Sequence, residues 1–464
     1  MTILTNSGNE STLASAMAAF VHRLQNEPLP EHIIERARVC LLNGYGIALG
    51  CLGTPYAPVA VRAALACDGE VPGGATLLVD GRRSTVGSAA LANAALFHGR
   101  AQEDTCGAAH LGAILIPLLT ALVETREEGL AVRLLPALIA GYEVGGLLEK
   151  AYSGITTPAG LRSSALYGTV AAAAATASVL GLSLEQTAAA LSNAASFTGG
   201  ILQSFDDGTD EWRYQVGVAA RTGWLATELA RAGSVSAPHA FEGRSGFVRA
   251  YARADCDVAA LAAQLGEQWS IERVTFKPFP VCAFNQTPVH AALALREKLG
   301  GRRIAAVQVR MHPYEAGYAG MDSKGPFSSV SGTLMSIPFC IALTLLRGAP
   351  GMAHMTTYDD QAVNALVQRV RLIADDSIQR LCCAIELELE DGQKLSQDQR
   401  MTTADYAYDR EGVRALVRRV GAESGIRADV YERLEVAVDD PQRHFQDVID
   451  CFAEARQMQS QART

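Results

Sequence analysis

The loop over residues 97–112 concentrates ionisable side chains directly before an apolar segment, 113–124, whose pattern predicts a helix. It holds the acidic pair Glu103-Asp104 and, near its end, His110. Unpaired N–H groups and positive potential at a helix start favour anions, and an imidazole there tends to stay neutral. The loop is therefore predicted to bind an anion and transfer protons, with His110 as the acid/base group. The alternative is a solvated acidic loop with a capping histidine.

A second candidate site is the start of an Ala-rich helix predicted over 166–180. Arg162, Ser163 and Ser164 precede this helix. Serine hydroxyls, open N–H groups and one arginine together suit a carboxylate or a phosphate. The alternative is an ordinary serine cap beside an exposed arginine.

A third segment combines three aspartates with Arg213. Asp206, Asp207 and Asp210 resemble the start of a calcium loop, but no glutamate closes it at EF-hand spacing, so no metal is predicted. Arg213 is either a charge of the site or a surface arginine.

Two later segments supply further candidates. Lys277 lies in a stiff, proline-containing turn and could reach an anion or act as an acid; the alternative is a surface lysine. Tyr318 lies in a loop that follows a predicted strand, where it forms a site wall or packs locally on the surface. The chain contains no GxGxxG, Walker A, GxSxG or HExxH pattern, so no nicotinamide, ATP or zinc cofactor is predicted.

Length and composition limit the function classes. The chain has 464 residues, is 49% hydrophobic and carries a formal net charge of −9. These values predict a large buried core and argue against general nucleic-acid binding, which needs a basic face. The polar N-terminus does not resemble a signal peptide, and no uninterrupted apolar run is long enough to favour a membrane span. A cytoplasmic protein is expected.

Hydrophobic periodicity divides the chain into two kinds of structure. Apolar residues recur at spacings of three and four up to about residue 270, and Ser183 with Gln186 has the pattern of a capping box. Residues 304–311 and 383–390 alternate with period two, and a turn at Asp391-Gly392 predicts a hairpin with 393–397. The predicted helices cover residues 12–25, 30–49, 88–98, 113–124, 130–151, 166–180, 216–230, 288–299, 331–347, 360–370, 409–420 and 441–457.

The predicted fold is mostly α. A large all-helical domain is formed by residues 1–270 together with the C-terminal tail, 403–464, and a smaller α+β lid domain, 271–402, is inserted between them. A cleft between two such units is the usual place for a ligand.

Several short motifs, in this order, resemble those of the MmgE/PrpD family. Besides the His110 loop they are Tyr167-Gly168 before the Ala-rich helix, the segment 217–223, the segment 242–247, Lys277-Pro278-Phe279-Pro280 and the segment 335–339. The family includes 2-methylcitrate dehydratases, cis-aconitate decarboxylases and iminodisuccinate epimerases. The resemblance implies a helical domain with an inserted lid, a homodimer and cofactor-independent chemistry on di- and tricarboxylic acids. In that chemistry a base removes a proton next to a carboxylate.

The sequence departs from the family pattern at several proton-carrying positions. The first aspartate of the family loop falls on Ala101, a lysine falls on Trp212, and two histidines fall on Gln215 and Gln286. Arg162-Ser163-Ser164 replaces a His-Pro-Thr segment. Such groups act as a unit, so these changes predict altered chemistry in a retained pocket.

The resulting hypothesis is a cofactor-free lyase or isomerase that acts next to a carboxylate on a small di- or tricarboxylic acid or amino-diacid. His110, Lys277 and Tyr318 are the predicted catalytic residues. The alternatives are a non-catalytic relative that binds a carboxylate metabolite or a partner protein, and a cyclase or eliminase of a specialised pathway. No nucleic-acid or membrane partner is expected. The predicted substrate-binding residues are Glu103, Asp104, Arg162, Ser163, Ser164, Arg213 and Gln286.

Overall fold

A computed structural model describes residues 12–125 and 129–461, and helices dominate this part of the chain. Short turns of other helix types occur at Leu130–Arg133, Val248–Ala252, Ser270–Arg273 and Ala283–Asn285. The α-helices are α1 (Leu13–Asn26), α2 (Glu31–Leu49), α3 (Tyr56–Asp68), α4 (Val86–Phe97), α5 (Gly112–Thr125), α6 (Leu134–Thr156), α7 (Ser163–Leu180), α8 (Leu184–Phe197), α9 (Gln203–Asp207), α10 (Glu211–Arg231), α11 (Val258–Ala262), α12 (Gln286–Leu299), α13 (Pro313–Ala316), α14 (Val330–Met335), α15 (Ile337–Arg347), α16 (Met352–Met355), α17 (Gln361–Val367), α18 (Thr403–Tyr406), α19 (Arg410–Glu423), α20 (Ala428–Asp439) and α21 (Pro441–Gln461).

The strands form one four-stranded sheet and two short ribbons. The sheet has the order β6-β5-β7-β8, in which β6 runs parallel to β5 and the other neighbours are antiparallel. The ribbons pair β1 with β2 and β3 with β4. The strands are β1 (Ala75–Thr76), β2 (Arg83–Ser84), β3 (Thr105–Cys106), β4 (Val274–Thr275), β5 (Ile304–Met311), β6 (Val370–Ala374), β7 (Cys382–Leu389) and β8 (Lys394–Arg400).

The mostly α fold with a small β-containing region is confirmed. One core packs the N-terminal helices against C-terminal residues such as Val417 and Phe452. A second core packs the sheet against α12, α15 and α17, with Val307 and Leu343 in its interior. The domain boundaries at residues 270 and 402 stay predictions, and the predicted absence of a signal peptide concerns residues 1–11, which lie outside the described part.

The centre of the helical region consists of closely packed small residues. α7 is rich in alanine and is buried on nearly every face, which lets α6 and α10 approach it closely. The segments Leu130–Thr156 and Ser163–Leu180 are long and apolar enough to cross a membrane, but 67% and 94% of their most apolar windows are buried inside the protein. Both therefore pack as core helices of this fold.

Most predicted elements are present, with several differences. The predicted helix over 360–370 ends at Val367, and the β-branched, alternating segment that follows forms β6. The predicted helix over 331–347 is two helices, because Ser336 takes an extended conformation and its hydroxyl caps α15. The sequence did not predict α3, α20, the short helices α9, α11, α13, α16 and α18, or the short strands β1–β4. The capping box at Ser183 and the hairpin of β7 with β8 are confirmed.

Candidate active site

The β3–β4 ribbon sets an acid opposite a base. Thr105 pairs with Thr275 in an antiparallel register. Continuing that register by two residues places Glu103 opposite Lys277. Lys277 Nζ donates to Glu103 Oε1 at 2.7 Å and to the carbonyl of Ala101 at 2.5 Å. Two residues 174 positions apart thus meet because two very short strands pair.

The turn after β3 carries His110 back towards this pair. Gly107 has a φ of +61°, and a side chain there would collide with the Glu149 carboxylate. That carboxylate accepts from the N–H of Ala108 at 2.8 Å. The N–H of His110 donates to the Ser164 hydroxyl at the start of α7 at 3.0 Å. The backbone of His110 is therefore held from both sides of the loop.

The Glu103 carboxylate is the hub of the site. Its Oε1 lies 2.9 Å from His110 Nδ1, and its Oε2 lies 3.0 Å from His98 Nδ1. The side chains of Glu103 and His98 are 3% and 1% exposed, whereas that of His110 is 18% exposed. Two imidazoles and one ammonium group thus share one buried carboxylate.

Burial and neighbouring charge fix the ionisation of this cluster. Burial lowers the pKa of His98 well below its usual value, and burial together with Lys277 lowers the pKa of His110 to about 4. Burial alone would raise the pKa of Glu103, but its cationic and imidazole neighbours hold that pKa well below its usual value. Because both histidines are neutral at neutral pH, the Lys277 ammonium is the charge that keeps Glu103 ionised.

Hydrogen-bond roles distinguish the two histidines. Arg162 Nη2 lies 2.8 Å from His98 Nε2, and a guanidinium can only donate, so His98 carries its hydrogen on Nδ1. His110 Nδ1 faces two acceptors, Glu103 Oε1 and the Asp104 carbonyl at 3.4 Å, so it also carries the hydrogen. The lone pair of His110 is then on Nε2, which makes His110 the available base.

These residues border a small pocket, named here the inner cavity, of about 50 Å³. Lys277 lines it and has one N–H left after its two hydrogen bonds. Burial raises the pKa of Tyr318 well above its usual value, so its hydroxyl stays protonated and can donate. The lining residues are His98, Ala101, Glu103, Thr105, Gly107, Ala108, His110, Phe205, Trp212, Lys277, Cys282, Ala283, Phe284, Tyr318, Leu334 and Met335.

Asp104 accepts a hydrogen bond from a backbone N–H at the helix start that was predicted to bind an anion. Its Oδ1 accepts from the N–H of Gly112 at 3.1 Å, and the Tyr142 hydroxyl donates to its Oδ2. Burial raises the pKa of Asp104 to about 6. The predicted substrate-binding residue Asp104 therefore caps α5 and does not line the inner cavity.

Arg162 lies behind His98. Besides His98 it donates to the Trp212 carbonyl and, at 3.2 Å, to Gln215 Oε1. Burial lowers the pKa of Arg162 to about 10, so it remains charged at neutral pH. Its contacts hold His98 and the start of α10, and a direct role in substrate binding stays a prediction.

Three other predicted substrate-binding residues lie away from the inner cavity. The Arg213 guanidinium stacks between the rings of Tyr56 and Trp212, 3.8 and 3.9 Å from their centres. The Gln286 amide donates to backbone carbonyls of the Lys277 turn and braces it. The Ser163 hydroxyl pairs with that of Thr157.

Sequence reasoning gave no role to His98, the residue that follows α4. The feature of the sequence that could have identified it is its position five residues before Glu103 in the same ionisable loop. Trp212 and Ala101, two of the departures from the family pattern, both line the inner cavity. In the part of the chain that the structure describes, no group of three or more His, Cys, Asp or Glu side chains could hold a metal ion.

Comparison with known proteins agrees with this architecture. The model of the MmgE/PrpD N-terminal domain matches residues 15–257, and that of the MmgE/PrpD C-terminal domain matches residues 279–418. The chain belongs to the MmgE/PrpD family.

Named relatives of this MmgE/PrpD chain are distant. A cis-aconitate decarboxylase of Aspergillus terreus is 25% identical over 380 residues, which cover 76% of each chain. The cis-aconitate decarboxylase-like protein oryM of Aspergillus oryzae is 28% identical over 290 residues, so the chain spans 59% of that relative's length and 59% of its own. The cis-aconitate decarboxylase of Mus musculus is 28% identical over 299 residues, covering 62% of this chain and 59% of the mouse protein.

Proposed function

We propose that this protein is a lyase that acts on a small carboxylic acid by removing a proton from the carbon next to the carboxylate. The observation that carries the proposal is the neutral His110 at the inner cavity, with Nδ1 against the ionised Glu103 and its lone pair on Nε2. A base of this kind needs a lone pair near the substrate and a partner that stabilises the imidazolium formed on proton transfer.

The remaining residues suit the other requirements of this reaction. The third N–H of Lys277 would bind the substrate carboxylate and stabilise the enolate-like charge that develops. His110 Nε2 would accept the proton, with Glu103 beside the resulting imidazolium. The protonated Tyr318 would assist a leaving hydroxyl or return a proton. Loss of the removed proton together with a neighbouring hydroxyl completes a dehydration, and return of the proton completes an isomerisation. In a decarboxylation the carboxylate would leave as carbon dioxide without prior proton loss, and the carbon left with the electron pair would take a proton from Tyr318.

The names of the relatives support the lyase. Decarboxylases and dehydratases are both lyases that act on carboxylic acids, and relatives of both names match this chain. Identities of 25–28% leave the substrate open. Cofactor independence, the homodimer and the cytoplasmic location remain part of the proposal and rest on the sequence patterns and the family resemblance.

Proton exchange tests the proposal without knowledge of the product. The protein is incubated in D₂O with a panel of mono-, di- and tricarboxylic acids, and the α-proton signals are followed by NMR. We expect exchange in the wild type and a loss of about 10²–10⁴-fold in His110→Gln. The matched control, His22→Gln, changes an exposed histidine on α1 and should keep the exchange.

Two outcomes would contradict the proposal. Exchange that persists in His110→Gln would remove this histidine from the chemistry. Ligands that raise the melting temperature without any exchange or product would favour the non-catalytic binding protein.

A further inference from the structure

A second, larger space lies outside the inner cavity, and Tyr318 lines both. This outer cleft has a volume of about 670 Å³ and lies between the turn from α6 to α7, the segment 201–206 and the segment 313–322. Its lining residues are Thr157, Pro158, Gly160, Ile201, Leu202, Gln203, Asp206, Pro313, Tyr314, Ala316, Gly317, Tyr318, Ala319, Gly320 and Asp322.

The inner cavity is much smaller than the outer cleft. Its volume is about 50 Å³, against about 670 Å³ for the cleft. A substrate whose carboxylate lies beside Lys277 and that is longer than the inner cavity therefore extends past Tyr318, which lines both spaces.

The inner cavity also has charge for one carboxylate only. Among the described residues that line it, Lys277 is the one permanent cation, and Glu103 is its partner. Arg162, which contacts the lining residue His98, does not itself line the inner cavity and already donates to His98, Trp212 and Gln215. A second carboxylate in the inner cavity would lack a counter-charge, which is costly in a buried space.

The outer cleft does not supply that counter-charge. Its charged lining residues, within the described chain, are Asp206 and Asp322, and both are exposed. Asp206 Oδ1 also accepts from the N–H of Gly320 at 3.0 Å. Arg380 stacks on Tyr314 with its guanidinium carbon 4.1 Å from the ring centre, but it is not a lining residue. Two acidic side chains disfavour a carboxylate and favour an uncharged polar or cationic group.

We propose that the outer cleft is the distal substrate subsite and that it selects an acid with one carboxylate, whose far end is an amide, an amine or another group without negative charge. This inference rests on the proposed function, because it uses the inner cavity as the carboxylate subsite. It departs from the substrate class expected from the sequence, which was di- and tricarboxylic acids and amino-diacids.

Pairs of acids that differ only in the charge of their far end test whether the outer cleft disfavours a second carboxylate. Succinate, glutarate and adipate are each compared with their monoamides, which keep the length and one carboxylate. Binding to the full-length protein is measured by calorimetry and α-proton exchange by NMR in D₂O. We expect at least one monoamide to bind about tenfold more tightly than the matching dicarboxylate.

Charge variants link that preference to the outer cleft. In the double variant Asp206→Asn/Asp322→Asn, we expect the preference to fall to about threefold or less. Asparagine keeps an oxygen that accepts from Gly320, and both positions are exposed, so folding should be retained. The control Glu297→Gln removes an exposed charge on α12, outside both spaces, and should leave the preference unchanged.

Each contrary outcome has a separate meaning. Equal or tighter binding of the dicarboxylates, a preference that survives in the double variant, or no binding of any monoamide overturns the inference. His110-dependent exchange that prefers dicarboxylates overturns the inference but keeps the proposed lyase. Preferential binding of monoamides without exchange on any acid supports the subsite and overturns the lyase.

Discussion

The two walls of the inner cavity differ in chemistry and in how they are held. The charged wall, formed by His98, Glu103, His110 and Lys277, is a set of side chains that contact one another through a single carboxylate. The apolar wall, apart from Ala283, packs into the core of the sheet region or against it, without ionic contacts among its members. The apolar wall consists of Phe205, Trp212, Cys282, Ala283, Phe284, Tyr318, Leu334 and Met335.

This difference indicates a division of labour. A change to one member of the charged wall alters the charge and hydrogen bonding of the others, so its effect should reach both stability and reaction. A change to the apolar wall should alter mainly the fit of the substrate and the local packing. The following predictions are ordered from the largest expected effect on the reaction to the smallest.

Glu103→Gln should break the charged wall most completely. It leaves the Lys277 ammonium buried without its carboxylate, which should cost about 3–5 kcal/mol in the free energy of unfolding. We also expect α-proton exchange to fall by about 10²–10⁴-fold, because His110 loses its anionic partner. Denaturant unfolding and NMR exchange measure the two effects.

The control for Glu103→Gln is Glu390→Gln, which removes an exposed ion pair with Arg303. It should change the unfolding free energy by less than about 1 kcal/mol. A similar small loss in Glu103→Gln would contradict the role of Glu103 as the hub of the site.

His98→Gln should reduce exchange by about 10–10²-fold, because His98 acts by positioning Glu103 and gives no lone pair to the substrate. The pH dependence of the remaining activity separates this role from a catalytic one. If His98 only positions Glu103, the rate of His98→Gln still follows the ionisation of His110, with a changed midpoint. If His98 is itself the base, the controlling ionisation is lost from the pH profile of His98→Gln.

Stability should respond to pH through His110. Its folded pKa is about 4, below the usual 6.5, so between these values the unfolded chain binds a proton that the folded chain does not. The wild type should therefore lose stability relative to His110→Gln as the pH falls from 6.5 to 4. The accumulated difference should be about 3 kcal/mol. Parallel unfolding curves of the two proteins across this range would contradict the buried, neutral imidazole.

Met335→Leu should have the smallest effect. Met335 is 2% exposed in the apolar wall, and leucine nearly conserves its volume. We expect a loss of less than about 1.5 kcal/mol in stability and a change of threefold or less in exchange, with most of that change in KM. A loss of kcat as large as that in His98→Gln would remove the distinction between the two walls.

Local signals in the sequence predicted one half of the charged wall. The ionisable loop before an apolar helix identified Glu103 and His110, and alternation with period two located β5 and β7. The Glu103–Lys277 contact depends on the register of β3 with β4, and strands of two residues have no period to detect.

The positions of other side chains of the site could not be predicted from the sequence for a different reason. His98 directly follows an apolar helix, so in the sequence it looks like an ordinary residue at a helix end. Its burial is visible only in the structure. Arg213 and Gln286 are residue types that suit a carboxylate, but their side chains instead stack between rings and brace a turn. Which way such side chains face is decided by tertiary packing that one sequence does not display.

The ionisation and tautomer of His110 test the central claim most directly. Nitrogen-15 NMR of the histidine-labelled protein, with His110→Gln to assign the signals, measures both. At pH 7 we expect a neutral ring with hydrogen on Nδ1 and a lone pair on Nε2, which becomes protonated with a midpoint at about pH 4. An imidazolium at pH 7, or a neutral ring with hydrogen on Nε2, would contradict His110 as the base.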